Sequence, residues 1–334
     1  MIKDYPGVSV VMPILNEERH LAAAVGRILE QDYPGELQVI MAIGPSADRT
    51  VEIAERLAAD DSRLQVVDNP SGRTPSGLNR GIAAADHDIV VRVDGHGELT
   101  EGYIKRAVEL LEETGAANVG GVMDARGRTP FEEAVAYAYT SRLGLGGSKF
   151  HLRDSPAGPA DTVYLGVFRK DALLAAGGYD EELHRAQDWE LNYRLRSRGE
   201  LIWFSPELTV TYRPRSTLSA LLSQYYRTGK WRREVIRRHP DTAGVRYLAP
   251  PAAVVGIAAG TTGALVGTVI GRLSWLRVGW LAPLGYALLI MLGSATAKEI
   301  SPAARLRLPM VLAVIHLSWG AGFLVGLDRR RDGR

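Results

Sequence analysis

Two short stretches of this 334-residue chain carry side chains whose types and spacing could do chemistry. The first is Asp94-Gly95-His96 in VRVDGHGEL, where an apolar, β-branched run (Ile89, Val90, Val91, Val93) stops at two hard-ligand side chains separated by one glycine. At the end of a strand, residues i and i+2 can point to one side, and the glycine lets a ligand approach the backbone. A carboxylate and an imidazole suit Mn²⁺ or Mg²⁺ bridging a diphosphate, with waters and phosphate oxygens completing the shell. A turn-forming or capping role for Asp94 is the plainer alternative. The second stretch is AQDWELNYRLR, which opens a helix with Gln187, Asp188 and Glu190. A carboxylate there can take a proton from a hydroxyl held within hydrogen-bond reach. The simpler role is to complement the helix dipole.

Side chains so far apart in sequence need a scaffold to bring them together. VSVVM (8–12), LQVIMAI (37–43), LQVVD (64–68) and DIVVRV (88–93) read as strands bounded by Pro, Gly, Asn or Asp. Helical spacing occupies 17–31, 48–60 and 75–85 between them. That alternation predicts an α/β fold with a mostly parallel, Rossmann-like sheet and helices on both faces. Ligands bind such sheets beyond the carboxyl ends of the strands. Pro13 to Glu17, Gly44 to Asp48, Asp68 to Arg73 and Asp94 to His96 all follow strand ends, so four polar clusters share one rim. ANVGGVMD, the helix TPFEEAVAYAYTSRL, the strand-helix-turn VYLGVFRKDALLAAGGYDEEL and the helix QDWELNYRLRSRG, with Gly199 as its C-terminal stop, complete a domain over 1–212.

Composition limits what the rest can be. With 40 Lys and Arg against 38 Asp and Glu, the net charge of +2 points to no nucleic-acid partner. The absence of cysteine removes disulfides and thiolate metal sites, leaving Asp, Glu and His as ligands. No basic n-region with a long apolar run opens the chain. Three charge-free stretches in the last third, about 248–271, 278–297 and 308–327 within a region 247–327, are long enough to cross a bilayer. Only His316 is ionisable within them, which argues against a channel or transporter. Ahead of them, 213–246 holds nine basic residues against Glu234 and Asp241, with Tyr225, Tyr226 and Trp231 interleaved. Such a segment predicts contact with an anionic cytoplasmic membrane surface. Three crossings would put the basic tail 328–334 outside, against the positive-inside tendency; a re-entrant or interfacial segment among the three would avoid that.

Together the motifs resemble the inverting family 2 glycosyltransferases of GT-A fold over roughly residues 7–239. VSVVMPILNEERHL, PSADRT, VVDNPSGRTPSGLNRGI, VRVDGHGEL, YLGVFRKDALLAAGGYDE and QDWELNYRLRSRG stand in that family's order and spacing. With the apolar stretches that follow, the chain is most similar to the membrane-associated succinoglycan-biosynthesis-type glucosyltransferases. The resemblance implies a GT-A catalytic domain followed by C-terminal transmembrane helices. It implies that Pro13, Leu15, Glu17, Asp48, Arg73, Asn79 and Asp94 bind the nucleotide-sugar. It makes Asp94 and His96 the metal ligands for Mn²⁺ or Mg²⁺ in a DxH variant, and Asp188 the general base. Gln187 and Trp189, with Gln224, Arg227 and Trp231 in QYYRTGKW, fall to the acceptor or interface. One departure stands out: IGPSADRT replaces the usual DDGSTDGT, so Ile43 and Gly44 occupy the acidic pair, and Asp68 is the candidate substitute.

The expectation is an inverting, metal-dependent transferase that moves a sugar from a nucleotide-sugar, first of all a UDP-sugar, to a lipid-linked or cell-surface glycan. It would be a multi-pass protein of the cell membrane with its catalytic domain cytoplasmic. A polyprenyl-phosphate sugar synthase is the alternative reading, and a non-catalytic membrane scaffold with a degenerate transferase domain is a third. A nucleotidyltransferase is disfavoured because no glycine-rich loop follows VVMP.

Overall fold

The computed structural model describes residues 4–95, 97–145, 148–152 and 154–327, which fall into two compact units. In chain order the elements are β1 (Val8–Ile14), α1 (Leu21–Leu29), β2 (Leu37–Ile43), α2 (Thr50–Asp60), β3 (Leu64–Asp68), α3 (Thr74–Ala84), β4 (Ile89–Arg92), β5 (Glu98–Leu99), α4 (Tyr103–Thr114) and β6 (Asn118–Ala125). Then follow α5 (Pro130–Thr140), β7 (Gly158–Pro159), β8 (Tyr164–Arg169), α6 (Lys170–Ala175), α7 (Gln187–Ser197), β9 (Ile202–Tyr212), α8 (Leu218–Arg238), α9 (Val245–Val269), α10 (Leu281–Ala295) and α11 (Pro302–Val325). The first unit takes in 4–124 and 148–212, and the second 125–145 and 213–327.

The first unit is one sheet in the order β3-β2-β1-β4-β8-β6-β9-β5, with β7 on β9. β1 pairs in parallel with β2 and β4, and β2 with β3, so all four carboxyl ends reach one rim. Alternate residues serve opposite faces. Val10, Val39 and Val91 pack with Leu21, Val25 and Ile28 of α1 and Ile104 and Leu111 of α4. Val11, Ile40 and Val90 pack with Leu78 and Ile82 of α3 and Leu191 and Leu195 of α7. Each such side chain contributes about 1.5–3 kcal/mol by burial.

Beyond β4 the sheet departs from the mostly parallel expectation. β8 pairs antiparallel with β4 and β6, and β9 antiparallel with β5 and β7. The sheet is therefore mixed. Gly120 and Gly121 in β6 make room for this crowded half, since a Cβ on Gly120 would lie 2.7 Å from Val163 and one on Gly121 would collide with the Leu208 carbonyl.

The second unit is helical, and α5 joins it rather than the sheet unit in which 1–212 was expected to hold it. The reason is packing: Glu133 of α5 accepts hydrogen bonds from the backbone N–H and hydroxyl of Ser301, the N-cap of α11. The basic segment is likewise no isolated surface element. Most of it is α8, whose Gly229 seats the Trp319 carbonyl of α11, while Gly322 of α11 seats the Tyr226 carbonyl of α8. The helices Val245–Val269, Gly271–Ala295 and Pro302–Val325 are each long and apolar enough to cross a membrane. The second begins earlier than expected, because a 3₁₀ segment, Gly271–Trp280, precedes α10. The basic tail 328–334 lies outside the described residues.

Candidate active site

The parallel rim gathers the four clusters. After β1 the chain turns through Asn16, which is held in the left-handed region at φ 55°. Asn16 is clasped from both sides: its N–H donates to Ser46 Oγ (3.0 Å) and its Oδ1 accepts from the Ala47 N–H (2.7 Å). Asp48 stitches the same loops, accepting from the N–H groups of Glu18 (3.2 Å) and Thr50 (3.1 Å). The Thr50 hydroxyl, foremost, holds this carboxyl below its usual range. Glu17 donates its N–H to Thr50 Oγ1 at 2.7 Å, and its side chain lies against Gly95, where a Cβ would meet Glu17 Cγ at 3.0 Å. The loop after β1 and the Asp94-Gly95 turn are thus neighbours.

Leu15, Gly44, Pro45 and Gly72 form a narrow apolar wall on the rim. A Cβ on Gly44 would stand 2.9 Å from Gly72 Cα and 3.0 Å from Leu15 Cδ1, which is a physical reason for glycine where relatives of the motif carry an acid. Pro13 sits beside it, within β1 and against Gly77 of α3. Asp68 is exposed at the end of β3 and lies in register with Ile43. Arg73 is the N-cap residue of α3, and its charge reaches His184 in the segment leading to α7. Burial first and Arg73 second lower the His184 pKa, favouring the neutral imidazole.

Asn79 is tied to that same segment. Its Nδ2 donates to the Tyr179 carbonyl (2.9 Å) and to Glu181 Oε1 (3.0 Å), and its Oδ1 accepts from the Tyr179 N–H (2.8 Å). A phosphate contact from Asn79 would require breaking one of these bonds. Arg194 of α7 reinforces the turn, donating to the Gly178 carbonyl (2.8 Å) while paired with buried Glu190 (2.8 Å). α7 then starts from Ala186, a non-glycine residue at φ 61°, and carries Gln187, Asp188 and Trp189 in its first turn. Gln187 is buried, and Trp189 is buried and stacked on Tyr193 at 5.7 Å.

Sequence reasoning missed the residue that joins the two acids. Arg92, on β4, is 5 % exposed; it donates to Asp94 Oδ1 from Nη2 (3.0 Å) and Nε (3.3 Å), and its Nη1 forms an ion pair with Asp188. The acid at the strand end and the acid at the helix start therefore meet across one guanidinium. Tyr179 lies beneath it, 5.9 Å from ring centroid to guanidinium carbon. Burial opposes the charge on Arg92, but the Asp94 carboxylate, together with Tyr179 and Tyr164, outweighs it and the pKa is raised. The same burial pushes the Tyr179 phenol up to about 12 and Tyr164 well above its ordinary value, so both stay neutral. A signal was present in the sequence: Arg92 interrupts an otherwise apolar strand two residues before Asp94, on the same side of the pleat.

Arg92 engages Oδ1 of Asp94, and Oδ2 is the oxygen free of that bond. Side-chain exposure is 26 % for Asp94 and 38 % for Asp188, so both open to solvent while their arginine does not. Among the described residues no cluster of three or more His, Asp or Glu could hold a cation by itself. That donor set fits a hard divalent ion bound chiefly through phosphate oxygens and water, with Asp94 as an oxygen ligand. His96 lies outside the described residues. Gln224, Arg227 and Trp231 belong to α8 of the helical unit; Gln224 accepts from Arg215 (3.2 Å) and from the Tyr139 hydroxyl (3.4 Å), Trp231 is buried, and Arg227 is exposed. A separate cavity of about 710 Å³, lined by Glu36, Gln38, Asp86 and His87, lies at the opposite rim, away from both acids.

Comparison with known proteins bears on the family and the fold. Residues 9–174 match the family model described as glycosyl transferase family 2. The chain is 35 % identical over 318 residues to the succinoglycan biosynthesis protein ExoA of Rhizobium meliloti, covering 94 % of this chain and 93 % of that one. It is 22 % identical to a dolichyl N-acetyl-alpha-D-glucosaminyl phosphate 3-beta-D-2,3-diacetamido-2,3-dideoxy-beta-D-glucuronosyltransferase of Methanococcus voltae, over 69 % of this chain and 74 % of the relative. Among solved structures, the mannosyltransferase PcManGT of Pyrobaculum calidifontis, in complex with GDP-Man and Mn²⁺, superimposes with a TM-score of 0.60 at 18 % identity, covering 98 % and 89 % of the two chains. That likeness bears on the fold, which is GT-A-like. The ExoA similarity runs nearly end to end, and with the family match it shows that the chain belongs to glycosyl transferase family 2 and is a glycosyltransferase.

Proposed function

We propose that this glycosyltransferase works with inversion and with a divalent metal, moving a sugar from a nucleotide-sugar to a lipid-linked or cell-surface glycan at the cytoplasmic face of the membrane. The observation that carries this reading is the Asp94–Arg92–Asp188 bridge, which sets a metal-side acid and a base-side acid at one point of the rim. Support for the donor comes from the GDP-Man and Mn²⁺ named for one structural neighbour, and for a lipid-linked acceptor from the dolichyl N-acetyl-alpha-D-glucosaminyl phosphate named for one relative.

In this reading Asp94, with His96, would hold Mn²⁺ or Mg²⁺. The cation, when bound, offsets negative charge on the departing nucleoside diphosphate. Leu15 and the Gly44–Gly72 wall receive the nucleotide, with Asp68 on the same rim in place of the missing acidic pair, and Arg73 faces the phosphates. The acceptor hydroxyl approaches from the α7 side, where Asp188 takes its proton as the oxygen bonds to the anomeric carbon. The bond from that carbon to the diphosphate oxygen breaks on the opposite face, which inverts the centre. Arg92 holds Asp188 in place before the acceptor arrives, and the acceptor must compete for that carboxylate.

Asp188→Asn tests the assignment. It is expected to bind donor normally and lose transfer by at least about 100-fold, the range of a lost general base. Undiminished transfer to a neutral hydroxyl would refute the base role. Full activity toward a polyprenyl phosphate, an acceptor already anionic, would instead favour the polyprenyl-phosphate sugar synthase.

A further inference from the structure

Three helices are apolar enough to cross a membrane, yet they differ in what covers them. Of the most apolar window in each, 39 % is buried within the protein in α11, against 11 % in α9 and 11 % in Gly271–Ala295. Val255 and Leu265 within α9 and Leu284, Leu288 and Leu292 within α10 are each more than half exposed, whereas on α11 the side chains exposed to that degree, Leu306 and Val325, stand near its two ends.

What covers α11 decides where it can lie. Its second half packs on α8, the helix with six basic residues and one acid, through the glycine seats at Gly229 and Gly322. Arg233, in the middle of the basic stretch, donates to the last carbonyls of α11 at Phe323 (3.3 Å) and Leu324 (2.5 Å). Its first half runs beside α5, from the Glu133–Ser301 bonds to His316, whose Nε2 lies 2.9 Å from the Leu143 carbonyl. A helix whose second half is fastened to α8 cannot enter hydrocarbon there without carrying those cations with it, which is prohibitively unfavourable.

α9 and Gly271–Ala295 are built differently. Gly260 and Gly279 meet backbone to backbone, and Arg277 Nε donates to the Gly267 carbonyl at 3.2 Å, so the two arms close into a hairpin with its tip near Ile270. Small residues permitting such close approach are the usual seam between membrane helices. The tip presents Arg272 and Trp275, side chains suited to a membrane–water interface. α11 meets this hairpin near its open end, with Gly320 against Pro250 and Val254 and His316 against Tyr286 (3.1 Å).

Resting on the membrane-bound reading above, we infer that only the α9–α10 hairpin crosses the bilayer. α11 lies at the lipid headgroup surface with α5 and α8, and its end at Val325 stays on the α8 side. Two crossings leave Lys298 and Val325 on the side of the basic residues of α8, in keeping with the positive-inside tendency.

The chain has no cysteine, so single cysteines can be placed without background. Ser274→Cys, Lys298→Cys and Val325→Cys, in sealed vesicles of known orientation, are treated with a membrane-impermeant maleimide. Lys298→Cys and Val325→Cys should label from one side and Ser274→Cys from the other. Val325→Cys labelling together with Ser274→Cys would establish three crossings and overturn the inference. All three labelling from one side would overturn it by showing that the hairpin does not cross. Neither result depends on sugar transfer, so failure here is distinct from failure of the proposed chemistry.

Discussion

Replacing Arg92 by Met keeps an unbranched chain in the site and removes the charge that joins Asp94 to Asp188. The guanidinium is 5 % exposed, whereas the carboxylates are 26 % and 38 % exposed. Breaking a buried ion pair costs about 3–5 kcal/mol, and the partial exposure of both acids reduces this to about 2–4 kcal/mol. For a unit of this size each kcal/mol shifts melting by about 2–4 °C, so Arg92→Met should melt about 10 °C lower. Arg92→Lys retains a charge but loses the planar fork that reaches two acids at once, and should fall between the two. Because a dication beside Asp94 replaces part of the lost charge, Mn²⁺ should raise the melting temperature of Arg92→Met more than that of the parent protein. Thermal unfolding followed by circular dichroism, with and without Mn²⁺, measures both effects. Equal melting of parent and Arg92→Met would refute the claim that one guanidinium holds both acids.

Two further outcomes follow from the geometry. Gly44→Asp should cost about 1–3 kcal/mol by overpacking against the Gly72 backbone, measured by denaturant unfolding; a neutral result would show that the Gly44–Gly72 wall is not tight. In α8, hydrogen bonds from Arg237 foremost, opposed by burial and aided by Arg238, lower the Glu234 pKa from 4.5 to about 2. A depressed carboxyl contributes stability that is present above its unfolded value and lost as pH falls toward the folded one. Glu234→Gln should therefore be less stable at pH 7 by about 1–2 kcal/mol, after allowing for the exposure of Arg237, and the gap should close between pH 4.5 and 2. A gap independent of pH would contradict the ion-pair origin.

Much of the sheet unit is legible because its signals are local. The four parallel strands are short apolar runs rich in Val and Ile, and α1 shows Leu21, Ala24, Val25 and Ile28 at helical spacing. Their shared rim follows from topology, so Asp94 and the loops after β1, β2 and β3 could be grouped before the fold was known. β9 escaped because Ser205-Pro206-Glu207 interrupts its alternation, and its place in the sheet depends on the glycines of β6. Arg92 escaped because a lone arginine in a strand announces burial only when its two acids are brought from 94 and 188. The docking of α8 on α11 escaped for a related reason: Gly229 and Gly322 act by what they lack, and hydropathy does not register a notch.

The central claim is that sugar transfer runs through a metal at Asp94 and a base at Asp188. The most direct measurement is nucleoside diphosphate release and sugar transfer by purified protein in lipid. It would be run against UDP-, GDP- and dTDP-sugars with Mn²⁺ or Mg²⁺ and again with chelator, for the parent protein and Asp94→Ala. The account predicts release from one donor class, with an inverted anomeric product, abolished by chelator and by Asp94→Ala. Release that persists in chelator or in Asp94→Ala would contradict it.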